Sequence, residues 1–145
     1  MNEKYMLEAI KEAKKSYIQG DVPVGAVVVY NNKIIAKAHN LKEKNNNAIE
    51  HAEILAINKA CKKLKKWRLC ECELYVTMEP CMMCTGAIIQ ARIKKIFYSI
   101  KNYDFGTLSN VQNDKKYSLI VEEGLLAMES LELLHNFFKQ KRNKK

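Results

Sequence analysis

The 145-residue chain is 48% hydrophobic and 28% charged, proportions ordinary for a soluble protein, and it is long enough for one domain with a sizeable core. No apolar run approaches the roughly 20 residues a membrane span needs, and Met1-Asn2-Glu3-Lys4-Tyr5 lacks the basic patch and apolar stretch of a secretory leader, so a cytoplasmic protein with no membrane partner is expected. A formal net charge of +9 favours a polyanionic partner.

In chain order, residues 3–19 predict a helix, with Met6, Ala9, Ile10, Ala13 and Tyr17 on one face and lysines and glutamates opposite. Gly20-Asp21 stops it, and Pro23 ends the turn. Residues 24–30 are an apolar, β-branched run, hence a buried strand; Asn31-Asn32 is a hairpin signal, and residues 33–39 return as a second strand. Residues 40–50 are polar and turn-rich. His51 opens a helix running to about Leu64, residues 73–78 form a third strand, and Pro80 precedes a helix from Cys81 to about Arg92. Residues 94–100 predict a fourth strand, 101–116 a polar connection, and 117–121 a short fifth strand. The last helix follows Gly124, with Leu131, Leu134 and Phe138 on one side and Leu133 and Phe137 beside them. Strands interleaved with helices, without repeat or linker, predict a single α/β layered domain over 1–145.

The chemistry concentrates in His51-Ala52-Glu53 and Pro80-Cys81-Met82-Met83-Cys84. A structural zinc site fills four positions with Cys and His, whereas a catalytic one takes three protein ligands and leaves the fourth for water. Here the obvious ligands number three: His51, Cys81 and Cys84. Cysteines at i and i+3 share a helix face, and a helix N-terminus favours the thiolate that zinc binds. Glu53 is close enough to shuttle a proton without being needed as a ligand. The other cysteines, Cys61, Cys70 and Cys72, read as reduced packing thiols, since an odd count in a leaderless chain argues against a disulfide framework.

H-x-E followed by P-C-x-x-C resembles the signature of the zinc nucleobase deaminases. Residues 21–27, 74–87 and 137–142 are similar to the first pocket strand, the metal segment and the basic C-terminal end of the bacterial tRNA adenosine deaminases, so the resemblance spans nearly the whole chain. It implies a cytidine deaminase-like fold, three α/β/α layers with a five-stranded mixed sheet and helices on both faces. It implies one Zn2+ per subunit on His51, Cys81 and Cys84, Glu53 as the proton shuttle, and conversion of the wobble adenosine of a tRNA anticodon to inosine. Asn40 falls where the family holds the purine with a side-chain amide, though a turn asparagine is the plain alternative. Val24 and Gly25 match the strand lining the pocket, the small glycine admitting close approach; Val24 is equally readable as core. Main-chain groups near Ala52, Met78 and Pro80 are candidate partners of the base edge and the leaving group.

The resemblance also implies a homodimer and a tRNA anticodon-loop partner. Asn102, Phe138, Lys139, Lys141 and Arg142 are candidate RNA contacts, with residues about 139–145 a basic tail; Phe137 and Phe138 read alternatively as packing for the last helix. The 62–68 run (four lysines, Trp67 and Arg68) reads as cations at a helix C-terminus or as a second polyanion contact. Departures cluster around the site: Asn102 stands where many relatives carry Asp, residues 104–109 replace a glycine-richer segment, and Ile49-Glu50 precede His51 where smaller residues are common. Two other functions share the scaffold, deamination of a free base or nucleotide of guanine or cytosine type, and RNA binding without catalysis.

Overall fold

A computed structural model describes residues 2–143, so Lys144 and Lys145 of the expected basic tail lie outside the described residues. Helix α1, Glu3–Ile18, buries Met6, Ala9, Ile10 and Ala13, the face the 3.6-residue period marks out. Gly20 takes φ +85°, a left-handed conformation that closes the helix as the Asp21 amide donates back to the Ser16 carbonyl at 2.9 Å. Strands β1 (Gly25–Tyr30) and β2 (Lys33–His39) pair antiparallel, from Gly25 opposite His39 to Tyr30 opposite Lys33. Asn31 and Asn32 both have positive φ, 52° and 61°, as a two-residue hairpin turn that follows the strand twist requires.

Strand β3 (Cys72–Met78) lies antiparallel to β1, while β4 (Lys95–Ile100) is parallel to β3 and β5 (Ile120–Glu123) parallel to β4, giving a mixed sheet ordered β2-β1-β3-β4-β5. The parallel pairs need crossovers. Helix α3 (Met82–Gln90) supplies the first, and it packs beside α2 (Ala52–Leu64). One core lies under these two helices, where Ala26, Val28, Leu74, Val76 and Ile96 meet Ala56, Ala60 and Ile88. The other lies under α1, where Val27, Val29 and Tyr75 meet Met6, Ala9 and Ile10. Alternate residues of β1 thus serve opposite layers, which is why its sequence is apolar throughout. The last helix, α5 (Ala127–Asn143), joins α1 on its side of the sheet, Phe137 meeting Tyr17 edge-on at 6.0 Å. The fold is the expected three-layer α/β arrangement.

Four expectations need correction. The fifth strand starts at Ile120 rather than Tyr117, because Ser118 adopts φ 53° and breaks the extended chain. The 101–116 connection contains a short helix, α4 (Leu108–Val111), anchored by buried Leu108. On α5 the more buried positions are Ser130, Leu133, Leu134 and Phe137, so Leu131 (55% exposed) and Phe138 (44%) face outward, one residue off the expected face. Cys70, expected as a packing thiol, is exposed, because it lies with Glu71 in the turn ahead of β3. All five cysteines are unpaired. Among the described residues no helix is long and apolar enough to cross a membrane.

Candidate metal and nucleobase site

The carboxyl ends of the parallel strands β3 and β4 and the N-termini of α2 and α3 meet at one end of the sheet, the usual location of ligand sites in α/β folds. His51 is the N-cap of α2, its backbone extended (ψ 154°) and its carbonyl accepting the Leu55 amide at 3.1 Å. Cys81 is the N-cap of α3, and Cys84 follows one turn later. Both helix starts therefore aim their ligand side chains at the same point. His51 Nδ1 stands 3.7 Å from Cys81 Sγ and 3.6 Å from Cys84 Sγ, and the three donor atoms all lie within 4.8 Å of one another. Two sulfurs and an imidazole nitrogen so grouped can hold a metal ion.

The electrostatics of the trio favour a ligand set. Hydrogen bonding from the Cys84 thiol, and then from His51, pulls the Cys81 thiol down to about 3. The same contact with Cys81 pushes Cys84 up and raises His51. The contact thus favours the thiolate on Cys81, the form that binds a cation. Glu53, in the first turn of α2, is only 4% exposed, and burial pushes its carboxyl up to about 7. A carboxyl held there exchanges protons in either direction at neutral pH.

Above the trio opens a cavity of about 490 Å³. Val22, Val24, Met78, Met82, Met83 and Phe105 give it apolar walls, and Asn40, Lys42, Glu53 and Asn102 supply polar groups. A few convergent polar groups in an apolar hollow is the composition of a small-molecule or nucleobase pocket. The loop after β2 that carries Asn40 and Lys42 is held by Asp21, whose fully buried carboxylate accepts the amides of Glu43 (2.6 Å) and Lys44 (3.1 Å). Asn40 is fixed further: Ser16 Oγ donates to its carbonyl at 2.8 Å, its Oδ1 accepts the Lys42 amide at 3.1 Å, and its Nδ2 donates to the Val22 carbonyl at 3.3 Å. One Nδ2 hydrogen and one Oδ1 lone pair stay free for a ligand.

The structure brings Val24, Asn40, His51, Ala52, Glu53, Cys81 and Asn102 together on this cavity; Cys84 is buried and off the lining, its Sγ 3.6 Å from His51 Nδ1. Gly25 is not on it. An added Cβ there would overlap the Ala9 carbonyl oxygen, so the glycine admits helix α1 rather than a ligand. Pro80 is buried off the lining, and its carbonyl accepts the Thr107 amide (3.0 Å) and the Thr85 hydroxyl (3.3 Å), which occupies both lone pairs. Phe138, Lys139, Lys141 and Arg142 are exposed on α5 and line no part of the cavity. Sequence reasoning missed Lys42, Glu79, Met82, Met83 and Phe105. Lys42 and Phe105 sit in loops whose paths no periodicity predicts. Glu79 and the two methionines adjoin the metal segment, and that adjacency was the signal available.

Comparison with known proteins agrees with this geometry. Residues 1–142 match the MafB19-like deaminase family. A tRNA-specific adenosine deaminase of Bacillus subtilis (strain 168) is 46% identical, the alignment covering 99% of this chain and 92% of that one. A solved structure from studies of A-to-I editing by tRNA:A34 deaminases at the wobble position of transfer RNA superposes with a TM-score of 0.85 at 34% identity, covering 90% of this chain and 99% of the other. A guanine deaminase from Bacillus subtilis, 40% identical, covers 72% of this chain and 67% of its own with a TM-score of 0.67.

Proposed function

The chain belongs to the MafB19-like deaminase family, and on that premise we propose that it is a zinc-dependent tRNA adenosine deaminase that converts the wobble adenosine of an anticodon loop to inosine. The observation that carries the reading is a three-donor metal group with a buried carboxyl beside it, under a cavity of about 490 Å³ with room for a nucleobase, in a chain 46% identical to a tRNA-specific adenosine deaminase. His51, Cys81 and Cys84 are the residues that would hold zinc. Tetrahedral bonds of about 2.3 Å to sulfur and 2.0 Å to nitrogen set a sulfur–nitrogen edge of about 3.5 Å, and edges of 3.6 and 3.7 Å support that ion. Bound there, zinc supplies Lewis acidity that brings the pKa of water to about 7.

The chain's own residues do the rest. Glu53 takes a proton from the attacking water and delivers it to the ring nitrogen beside the amino-bearing carbon. The water oxygen's second proton passes through Glu53 to the amino group as the carbon–nitrogen bond breaks and ammonia leaves, so adenosine and water become inosine and ammonia. The free hydrogen and lone pair of the Asn40 amide hold the purine edge. The Ala52 amide, among the first-turn donors of α2 with no intrahelical acceptor, is a further partner for the base. Val24 and the methionines exclude water from its faces.

An unpaired anticodon loop presents the base at least cost, because the target need not leave a duplex. Lys139, Lys141 and Arg142, exposed on α5, are suited to the phosphates, with Phe138 beside them. One domain over residues 1–145, a homodimer and a cytoplasmic location complete the reading, and sedimentation of the zinc-loaded protein checks the dimer. Deamination of free guanine is the second reading, favoured by the likeness to a guanine deaminase. Two stem-loops, one with adenosine at the wobble position and one with it a single nucleotide away, separate them. Inosine at the wobble position alone supports the proposal; ammonia from guanine with neither loop edited sinks it.

A further inference from the structure

The loop after β4 is mostly polar, yet it is tied closely to the three residues around the first cysteine ligand. Glu79, 3% exposed, accepts the Ser109 amide on Oε2 at 2.8 Å and the Asn102 amide on Oε1 at 3.3 Å. Pro80 accepts the Thr107 amide at 3.0 Å, and Cys81 pairs with Gly106 in a single antiparallel bridge. The Gly106 amide closes the turn on the Asn102 carbonyl at 2.8 Å. Gly106 packs between the Asn102 carbonyl and the carboxylate: an added Cβ would overlap the Asn102 oxygen and lie 2.6 Å from Glu79 Cδ. A buried carboxylate is costly unless its oxygens are satisfied. This one lies in no salt bridge of the described residues; main-chain amides at both ends of the loop satisfy it.

The tie has a consequence at the cavity. Asn102 and Phe105 both line its mouth, and Asn102 Oδ1 accepts the Phe105 amide at 3.1 Å. Phe105 is 73% exposed, so no packing of its own side chain fixes it. Its position depends on the backbone that Glu79 holds. A loop ordered in advance spares an RNA the ordering cost on binding.

We propose that Glu79 is a positioning residue for the RNA-facing rim: its carboxylate locks residues 102–109 against the metal-ligand segment, so that Asn102 and Phe105 stand at the cavity mouth before substrate arrives. This rests on the deaminase reading above. The role is distinct from proton transfer, which needs only Glu53.

The test uses the zinc-loaded full chain with Glu79→Ala, Glu79→Gln, Gly106→Ala and Phe105→Ala. Amide hydrogen exchange reads the loop, stem-loop RNA affinity reads the rim, and inosine formation gives KM and kcat. Glu79→Ala is expected to lose protection at Asn102 and Ser109, weaken stem-loop binding and raise KM about tenfold, and leave kcat within about twofold and zinc content unchanged. Glu79→Gln, whose amide oxygen still accepts one amide, restores part of the protection and affinity. Gly106→Ala loosens the loop with the carboxylate intact, by crowding the Asn102 carbonyl as well as Glu79; if Glu79→Ala does not fold, Glu79→Gln carries the test, with a partial loss of loop protection and affinity expected and unchanged loop exchange overturning the proposal. Phe105→Ala weakens binding alone but adds nothing on top of Glu79→Ala. Unchanged loop exchange, or a fall in kcat or zinc content with KM unchanged, would overturn the proposal. If the wild type edits no RNA, the function proposed above fails, while exchange and binding still decide whether Glu79 holds the rim.

Discussion

Gly25→Ala separates two reasons for a glycine at the start of β1. If the position faced substrate, a methyl group would obstruct binding and leave the fold intact. The structure sets it against α1 instead. An added Cβ would overlap the Ala9 carbonyl oxygen and lie 2.6 Å from the Ala13 amide nitrogen and 2.9 Å from Glu12 Cβ. Relaxed carbon contacts are about 3.5–4.0 Å, and two of the three neighbours are helix backbone that cannot rotate away. The helix must retreat by about 1 Å. That movement stretches the Ser16–Asn40 hydrogen bond, now 2.8 Å, and the Glu12–His39 contact, now 3.0 Å. Overpacking costs about 1–3 kcal/mol, and each hydrogen bond broken adds about 1 kcal/mol. The stiffer unfolded chain returns about 0.5 kcal/mol, so the net loss is about 3 kcal/mol. In a chain of this size the melting temperature falls by about 10 °C. Urea unfolding of the metal-loaded protein measures the loss as a lower midpoint at unchanged slope. Stability within about 0.5 kcal/mol of wild type, together with weakened substrate binding, would refute the reasoning and return Gly25 to the pocket.

Replacing Lys139, Lys141 and Arg142 with alanine should lower the slope of log affinity for stem-loop RNA against log salt by about 0.7 for each phosphate no longer neutralised, with kcat at saturation unchanged; a salt titration by anisotropy reads it. Cys84→Ser should leave the purified protein short of zinc and of deaminase activity, and metal analysis beside a thermal melt checks both. Glu8 gives an acid-limb prediction. Hydrogen bonds from Lys11 and then Lys37 pull its carboxyl from 4.5 to about 2, so its stabilisation is present above pH 4.5 and is lost as pH falls toward 2. Because all three side chains meet solvent, Glu8→Gln should flatten that limb by less than about 1 kcal/mol, and the difference should shrink in high salt.

Much of the site was legible because it depends on short-range geometry. Two cysteines three residues apart at a helix start must share a face, and His51 at the start of a second helix needed only the sheet to bring it near. The Asn31-Asn32 hairpin was legible for the same reason: its left-handed pair follows from local sterics. What failed depends on tertiary packing. An apolar β1 buried on both sides does not say which face Gly25 serves, and only the approach of α1 decides it. The face of α5 was displaced by one residue, because Leu131 and Phe138 are as apolar as the side chains that pack. Ser118 gave no warning of its left-handed backbone, so β5 was drawn too early. Glu79, between Met78 and a proline, has no periodic signature, and its partners lie more than 20 residues away.

The most direct test of the account is inosine formation by the zinc-loaded protein on an anticodon stem-loop with a wobble adenosine, run beside free adenosine and with Glu53→Gln as control. The account predicts inosine in the stem-loop, little from free adenosine, and a rate lower by about 10²–10⁴ in the variant with its zinc retained. A variant that edits as fast as wild type, or a wild type that deaminates free bases and leaves the stem-loop untouched, would contradict it.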